Sequence, residues 1–399
     1  MSLDRSCANH AYGSVSINAS APFWEEKSML LSAASRALAV SFLALSTLAG
    51  PALAKDTYRP ECFSAAPDVS KVIHYEKREG PFRVAFVNGF AGNDWRVTAI
   101  QGAKAWAARP ENAGKLGEFT VVSVGNDSAA QIAAIDNYIA AGYDAIVIIA
   151  VNPTAFNSVI KRAEDAGTVL VPFDNVLDTD AIVQVNENQF ELGRLKAQAV
   201  VDAIIAAKGA ATGKVLEVSG LPGNATDRDN HLGMRSVLDA NPGLEVVQVV
   251  GNWDAGTVQK VVADAIATHG NFDGVMVQEG TIGALNAMKN AGHPVVPVGG
   301  DAGNGARKMI AEGGYPGVTA AQAPVMSAVA LEAAVALLEG NALPQMVYLP
   351  IPQKANAELV EGTDYFPELP DTFYTTTGYP NCFPVFTPEE LLGQSPDNL

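Results

Sequence analysis

Two stretches of this chain repeat one strand–helix–strand pattern, and that repeat limits the fold more than any other feature. The first runs Val121-Val122-Ser123-Val124, then a helix with Ile132 and Ile135 on one face, then Gly142-Tyr143-Asp144-Ala145-Ile146-Val147. The second runs Val246-Val247-Gln248-Val249, then a helix with Val258, Val262 and Ile266, then Asn271-Phe272-Asp273-Gly274-Val275-Met276. Parallel strands need a crossover, usually helical, so duplicated units predict two similar α/β lobes. In open parallel sheets ligands bind beyond the carboxyl ends of the strands. Two such sheets facing each other place one ligand in the cleft between them.

Alternation continues on both sides of the repeat. Phe82 to Val87 is a β-rich apolar run, Trp95 to Ala108 reads as a helix, and Tyr143 to Ala150 is almost purely apolar. A strand of that kind is covered on both faces. The pattern persists to about Leu349, after a lead of residues 55–81.

The amino-terminal segment reads as an address. Ala37 to Ala49 is a short apolar run preceded by Arg36 and followed by Gly50-Pro51-Ala52-Leu53-Ala54. A hydrophobic core ending in Ala-x-Ala predicts a secretory signal within residues 1–54, cut after Ala54, with Met29 as an alternative start. A membrane span needs about 20 apolar residues and would not end at Pro51. Export leaves Cys62 and Cys382 as the cysteines of the mature chain, and an oxidising compartment predicts a disulfide between them.

Charge narrows the partner. The 399 residues carry 26 Lys and Arg against 43 Asp and Glu, a formal net charge of −17. That balance opposes a nucleic-acid groove or an anionic membrane, which need clustered basic residues. Cysteine spacing and the five scattered histidines point to no metal and no cofactor.

Polar and aromatic residues gather where strands end. Asn93-Asp94-Trp95-Arg96 follows the first strand, Phe173-Asp174-Asn175 another, and Ser219-Gly220-Leu221-Pro222-Gly223 leads to Arg228. Asn252-Trp253-Asp254, Gln278-Glu279, Gly299-Gly300-Asp301 and Gln322 follow others. Singly, Asn93, Asp174 and Asp301 read equally as turn or cap residues, Trp95 and Trp253 as core, and Arg228 and Glu279 as solvated surface charges. Together, carboxylates that accept from hydroxyls, an arginine that donates, amides that do both and two indoles form the profile of a polyhydroxy ligand site. A cationic amino sugar is the variant favoured by the excess of carboxylates.

The order and spacing of these motifs, over about Phe82 to Ile351, resemble the ribose-binding family of periplasmic substrate-binding proteins, receptors of ABC sugar importers. The resemblance implies a type I fold: two Rossmann-like lobes, parallel sheets flanked by helices, joined by a three-segment hinge near Asn186, Gln322 and Pro350. Residues 82–186 plus 323–349 would form the amino-terminal lobe and 187–322 plus 350–356 the other, with a tail, 357–399, packing on the surface. It carries ligand-binding roles onto Asn93, Asp94, Trp95, Arg96, Asp174, Arg228, Trp253, Glu279, Asp301 and Gln322. Arg96, Asn175 and Glu279 depart from the family pattern, which moves the expected ligand from ribose itself to sugars and alditols generally. The expectation is a monomeric, non-enzymatic receptor that binds a small neutral carbohydrate or alditol and docks on an inner-membrane ABC permease. Rival readings are a sugar or autoinducer chemoreceptor, and an exported glycosidase using paired carboxylates.

Overall fold

The computed structural model describes residues 58–398. The expected leader, with Met29 and the cut after Ala54, lies outside the described residues. Among the described residues no helix is long and apolar enough to cross a membrane.

In chain order the elements are β1 (Val72–Ile73), β2 (Phe82–Asn88), α1 (Asp94–Ala108), α2 (Pro110–Ala113), β3 (Leu116–Ser123), α3 (Ser128–Ala140), β4 (Ala145–Ile149), α4 (Asn157–Ala166), β5 (Val169–Pro172) and β6 (Gln184–Glu187). Then follow α5 (Gln189–Lys208), β7 (Gly213–Ser219), α6 (Ala225–Leu238), β8 (Leu244–Val250), α7 (Ala255–His269), β9 (Gly274–Val277), α8 (Thr281–Asn290), β10 (Val298–Gly300) and α9 (Asn304–Gly313). The chain closes with β11 (Gly317–Ala320), α10 (Met326–Leu338), β12 (Leu343–Pro344), β13 (Met346–Leu349), β14 (Gln353–Ala355) and α11 (Pro388–Leu392).

Two sheets organise the molecule. The first has the order β3-β2-β4-β5, all parallel. A single parallel bridge, Phe173 to Val185, extends it to β6, which pairs in parallel with β13. The second has the order β14-β11-β10-β9-β7-β8 and is parallel except for β14, which runs antiparallel to β11. The repeat read from the sequence appears as β3-α3-β4 and β8-α7-β9. In each, the chain leaves the outer strand and crosses its predecessor, β2 or β7, to pair on the far side. Strand order therefore reverses next to β2 and next to β7, the switch points where open α/β sheets bind ligands.

Burial follows the two-residue period of a strand. All of β4 is buried, yet Ala145, Val147 and Ile149 enter one core while Ile146 and Ile148 enter another on the opposite face. In β9, Val275 and Val277 face one core and Met276 the other. Each sheet is thus covered twice. The helices begin on side-chain caps that follow strand ends: Asn93 for α1, Asn224 for α6 and Asp254 for α7 each accept a backbone N–H of their first turn. Capping ties each helix start to the strand end before it, which brings those loops to one edge of the sheet.

The segment after β14 is more than a surface appendage. Phe373, Tyr374, Tyr379, Phe383, Phe386 and Leu391 are buried in a core cluster that joins residues of the first sheet to Ala302 and Ala321 of the second half. Cys62 and Cys382 are joined there, with Cα atoms 5.2 Å apart.

Candidate functional site

The carboxyl ends of β2 and β5 face those of β7, β8 and β9 across a cleft. Its central cavity is walled on the first half by Asn93, Trp95, Arg96, Asp174 and Asn175, and on the second by Thr226, Asn230, Trp253, Gln278 and Glu279, with Gln322 just after β11. A second cavity adjoins it, walled in part by Asp94, Asp301 and Tyr374, with Asn93, Trp253 and Glu279 common to both.

Local backbone explains several of these placements. Asp174, Asn252 and Trp253 hold positive φ angles of 59°, 55° and 56°. Such values are strained for a bulky residue like tryptophan, and strain of this kind gathers at ligand clamps. The Trp253 indole donates to Gln278 Oε1 (3.1 Å). It lies so close over Gly220 that a Cβ there would stand 2.0 Å from its Nε1. Glycine at this position is what lets the ring lie against the β7 end. Trp95, in the first turn of α1, donates from Nε1 to the Gln322 carbonyl (3.1 Å), while Gln322 Nε2 donates to Asp174 Oδ1 (2.7 Å).

Arg96 is buried, donates to Asn88 Oδ1 (2.8 Å) and stands 3.7 Å from Asp174 Oδ2. Burial lowers its guanidinium to about 10, with Asp174 opposing the fall. Burial also lifts the Asp174 carboxyl to about 6, against the pull of Arg96. Asn175 completes this group. With the amide turned to the orientation that satisfies its neighbours, its oxygen accepts from Arg96 Nη2 (2.5 Å), and its nitrogen donates to Asn224 Oδ1 (2.9 Å) and Thr226 Oγ1 (2.7 Å). The halves also meet through Asn93 Nδ2, which donates to the Trp253 carbonyl (3.2 Å), and Thr226 Oγ1, which donates to the Asp174 carbonyl (3.2 Å).

In the second cavity, burial followed by the nearby Asp301 and Asp254 lifts the Asp94 carboxyl to about 6. Burial and then Asp301 push Glu279 well above the usual carboxylate range, opposed by Lys196 and Tyr374. Asp301 is buried and its two oxygens already accept backbone N–H groups, from Thr281 (2.7 Å) and Gly303 (2.9 Å). It fixes the start of α8 as well as walling the cavity.

Arg228 is the expected residue that the fold does not bring into either cavity. Its side chain is half exposed, pairs with Asp229 (2.7 Å), and reaches Asp178 of the first half at 3.7 Å. The reason is helix phase. Thr226 and Asn230, one turn apart on α6, face the cavity, and Arg228, two residues from each, points about 200° away. It bridges the rim of the cleft instead.

Thr226, Asn230, Lys196 and Tyr374 were not singled out from the sequence. Lys196 is fully buried in α5 and donates to the Val277 (3.0 Å) and Gln278 (2.8 Å) carbonyls, fixing the strand end that carries Glu279. Burial pushes its ammonium down to about 8, opposed by Asp301 and Glu279. Its signal was present: Leu192, Lys196 and Val200 fall at helical spacing, a lysine inside an apolar stripe.

A larger cavity, about 450 Å³, lies beside the disulfide and is walled by Trp106, Lys115, Glu332 and Cys382. It is on the back of α1 and α10, away from the strand ends. Among the described residues no group of three His, Cys, Asp or Glu side chains is placed to hold a metal ion.

Comparison with known proteins agrees with this architecture. Residues 84–342 match a family model described as a periplasmic binding protein domain. A D-ribose/D-allose-binding protein of Pseudomonas aeruginosa is 27% identical over 229 residues, 55% of this chain and 70% of that one. A ribose import binding protein of Bacillus subtilis is 24% identical over 235 residues, 58% of this chain and 75% of that one. Among solved structures, an ABC transporter solute-binding protein from Thermobispora bispora has a TM-score of 0.62 and 28% identity, covering 67% of this chain and 84% of that one. With two facing parallel sheets, a cavity at their switch points and a family match over most of its length, the chain belongs to the periplasmic binding protein family.

Proposed function

We propose that this protein is an exported receptor that captures a monosaccharide or polyol between its two halves and delivers it to an ABC importer, without performing chemistry on it. The observation that carries this reading is the cleft cavity itself. Two indoles, one from each half, stand among carboxylates, amides and one buried guanidinium. Indole faces cover the C–H faces of a sugar ring, and the polar groups supply both acceptors and donors for its hydroxyls. The names of the similar proteins from Pseudomonas and Bacillus, which give ribose and allose, favour the same class.

In this reading Trp95 and Trp253 cover opposite faces of the ligand, while Asn93, Arg96, Asp174, Asn175, Asn230, Glu279 and Gln322 bind its hydroxyls. Arg96 and Asp174 neutralise each other, so the central cavity presents polarity without a large field of one sign. That suits a neutral ligand. Contacts from both halves are complete only when the halves meet, so ligand shifts a hinge equilibrium toward the closed form. The closed monomer then offers both halves to a permease. A dissociation constant near micromolar, about −8 kcal/mol, suits capture. The segment ending at Ala54 directs export to the periplasm.

A thermal-shift screen of monosaccharides, alditols, amino acids and nucleobases tests this directly. A ligand at a thousand times its dissociation constant raises stability by about 4 kcal/mol. Melting raised by neutral sugars or alditols supports the reading; melting raised by amino acids or nucleobases alone overturns it.

A further inference from the structure

The segment after β14 reaches into the cleft. Its path is fixed on α9, where free N–H groups of the helix start need partners. The Asn304 and Gly305 N–H groups donate to the Phe373 (2.8 Å) and Asp371 (3.0 Å) carbonyls. The Asn304 side chain accepts from the Phe366 N–H (2.8 Å) and donates to the Phe366 (2.8 Å), Leu369 (3.1 Å) and Pro370 (3.1 Å) carbonyls. Gly303 bridges to Tyr374, and Thr375 N–H donates to the Ala302 carbonyl (3.1 Å). Held on both sides, Tyr374 is 1% exposed and its hydroxyl donates to Glu279 Oε2 (3.0 Å).

Glu279 is the strand-end residue that walls both cavities. From below, its strand end is fixed by Lys196; from the side, one of its oxygens is held by Tyr374. We propose that Tyr374 is a specificity-determining positioning residue: by engaging one oxygen of Glu279 it presents the other as an acceptor to a ligand hydroxyl. This rests on reading the cleft as a sugar or polyol site. A carboxylate with neither oxygen engaged turns freely about its last bond, and a fixed one selects hydroxyls of one orientation. The cleft is thereby completed by a segment that lies outside both sheets.

The groups facing Glu279 are Asp301, Lys196, Tyr374 and Asp94. Tyr374 and Lys196 favour its ionised form, while burial, Asp301 and Asp94 oppose it. Removing the phenol hydroxyl therefore raises the Glu279 pKa, and the acid side of any binding profile that needs its carboxylate moves to higher pH. A side chain that only packed would leave that profile in place.

The experiment is calorimetric titration of the full chain with D-ribose, D-allose, D-xylose, xylitol and myo-inositol between pH 5 and 8. It uses the wild type, Tyr374→Phe, Glu279→Gln and the double variant. For the ligand bound most tightly by the wild type, Tyr374→Phe is expected to lose about fivefold or more in affinity, the scale of one hydrogen bond. The order of preference among the five changes, and the acid limb moves up in pH. In the Glu279→Gln background the same substitution has little further effect. Wild-type affinity, order and pH limb in Tyr374→Phe overturn the proposal, as do equal losses in both backgrounds. Those results leave the cleft reading intact. A wild type that binds none of the five, and whose melting is raised by amino acids or nucleobases alone, removes the cleft reading, and this inference with it.

Discussion

At Asp174, burial, a charged neighbour and backbone strain act on one residue. It holds a φ of 59°, stands 3.7 Å from Arg96 Nη2, and accepts from Gln322 (2.7 Å). Its folded-state pKa of about 6 lies above the ordinary 3.8. The Asp94 carboxyl is lifted to about 6 as well, and burial lifts Glu332, on the far side of α10, from 4.5 to about 7. An acid whose folded pKa is raised binds protons more tightly in the folded state, so folding is favoured at the acid end and loses that contribution as pH rises through the window. The window runs from the ordinary carboxyl values up to about 7. Thermal melts should therefore fall by a few degrees from pH 5 to pH 8 in the absence of ligand, and Asp174→Asn should flatten part of the slope. A melting temperature that climbs across that range would reject this account of the buried acids.

At the scale of elements, the position of α6 decides which of its residues face the cleft cavity. Helices α5 and α6 cross closely because Gly193 and Gly233 sit at the contact. A Cβ on Gly193 would stand 2.0 Å from the Asn230 carbonyl oxygen, and one on Gly233 1.9 Å from that of Phe190. Gly233→Ala should push the helices apart and cost about 1–3 kcal/mol in urea unfolding, the range of overpacked cores. It should also weaken ligand binding, because Thr226 and Asn230 move with the helix. Unchanged stability would mean the crossing has slack that the structure does not show. This crossing also marks what could be read from the sequence. Parallel strands announce themselves as apolar runs and their ends as polar clusters, so Asn93, Trp95, Asp174, Trp253 and Glu279 stood out. The phase of a helix after a loop is set by its cap and by packing against another helix. The family likeness of the Gly220-Leu221-Pro222-Gly223 loop therefore pointed to Arg228, whereas the face set by Asn224 and Gly233 presents Thr226 and Asn230. Tyr374 had no periodic signal at all, since its path is fixed by capping α9.

At the scale of the whole molecule, the carboxyl-terminal segment ties the two halves together. It leaves α9, passes Glu187, whose Oε1 accepts from the Tyr379 hydroxyl (2.6 Å), and ends on the first half. There Lys104 donates to the Ser395 (2.7 Å) and Asp397 (2.6 Å) carbonyls, and Arg109 pairs with Glu390 (2.9 Å). The Cys62–Cys382 bridge closes a loop with a sequence separation of 320. For a loop of that length the chain-entropy model gives roughly 6 kcal/mol, an upper bound where the unfolded chain keeps some structure. Cys62→Ser with Cys382→Ser should thus lower stability by up to that amount in urea, and the unreduced, denatured mature chain, without Cys7, should titrate no free thiol. Two free thiols, or equal stability of the double variant, would contradict the bridge as a stabilising tie.

The central claim is that strand ends of two facing sheets bind a sugar between Trp95 and Trp253. Calorimetric titration of Trp95→Ala and Trp253→Ala, with urea unfolding of the same samples, tests it most directly. If the indoles cover the ligand, sugar affinity falls tenfold or more, about 1.4 kcal/mol, in variants that remain folded. If they serve only as core, stability drops by about 3–5 kcal/mol and the molecules still folded bind the sugar with wild-type affinity, a result that would contradict the account.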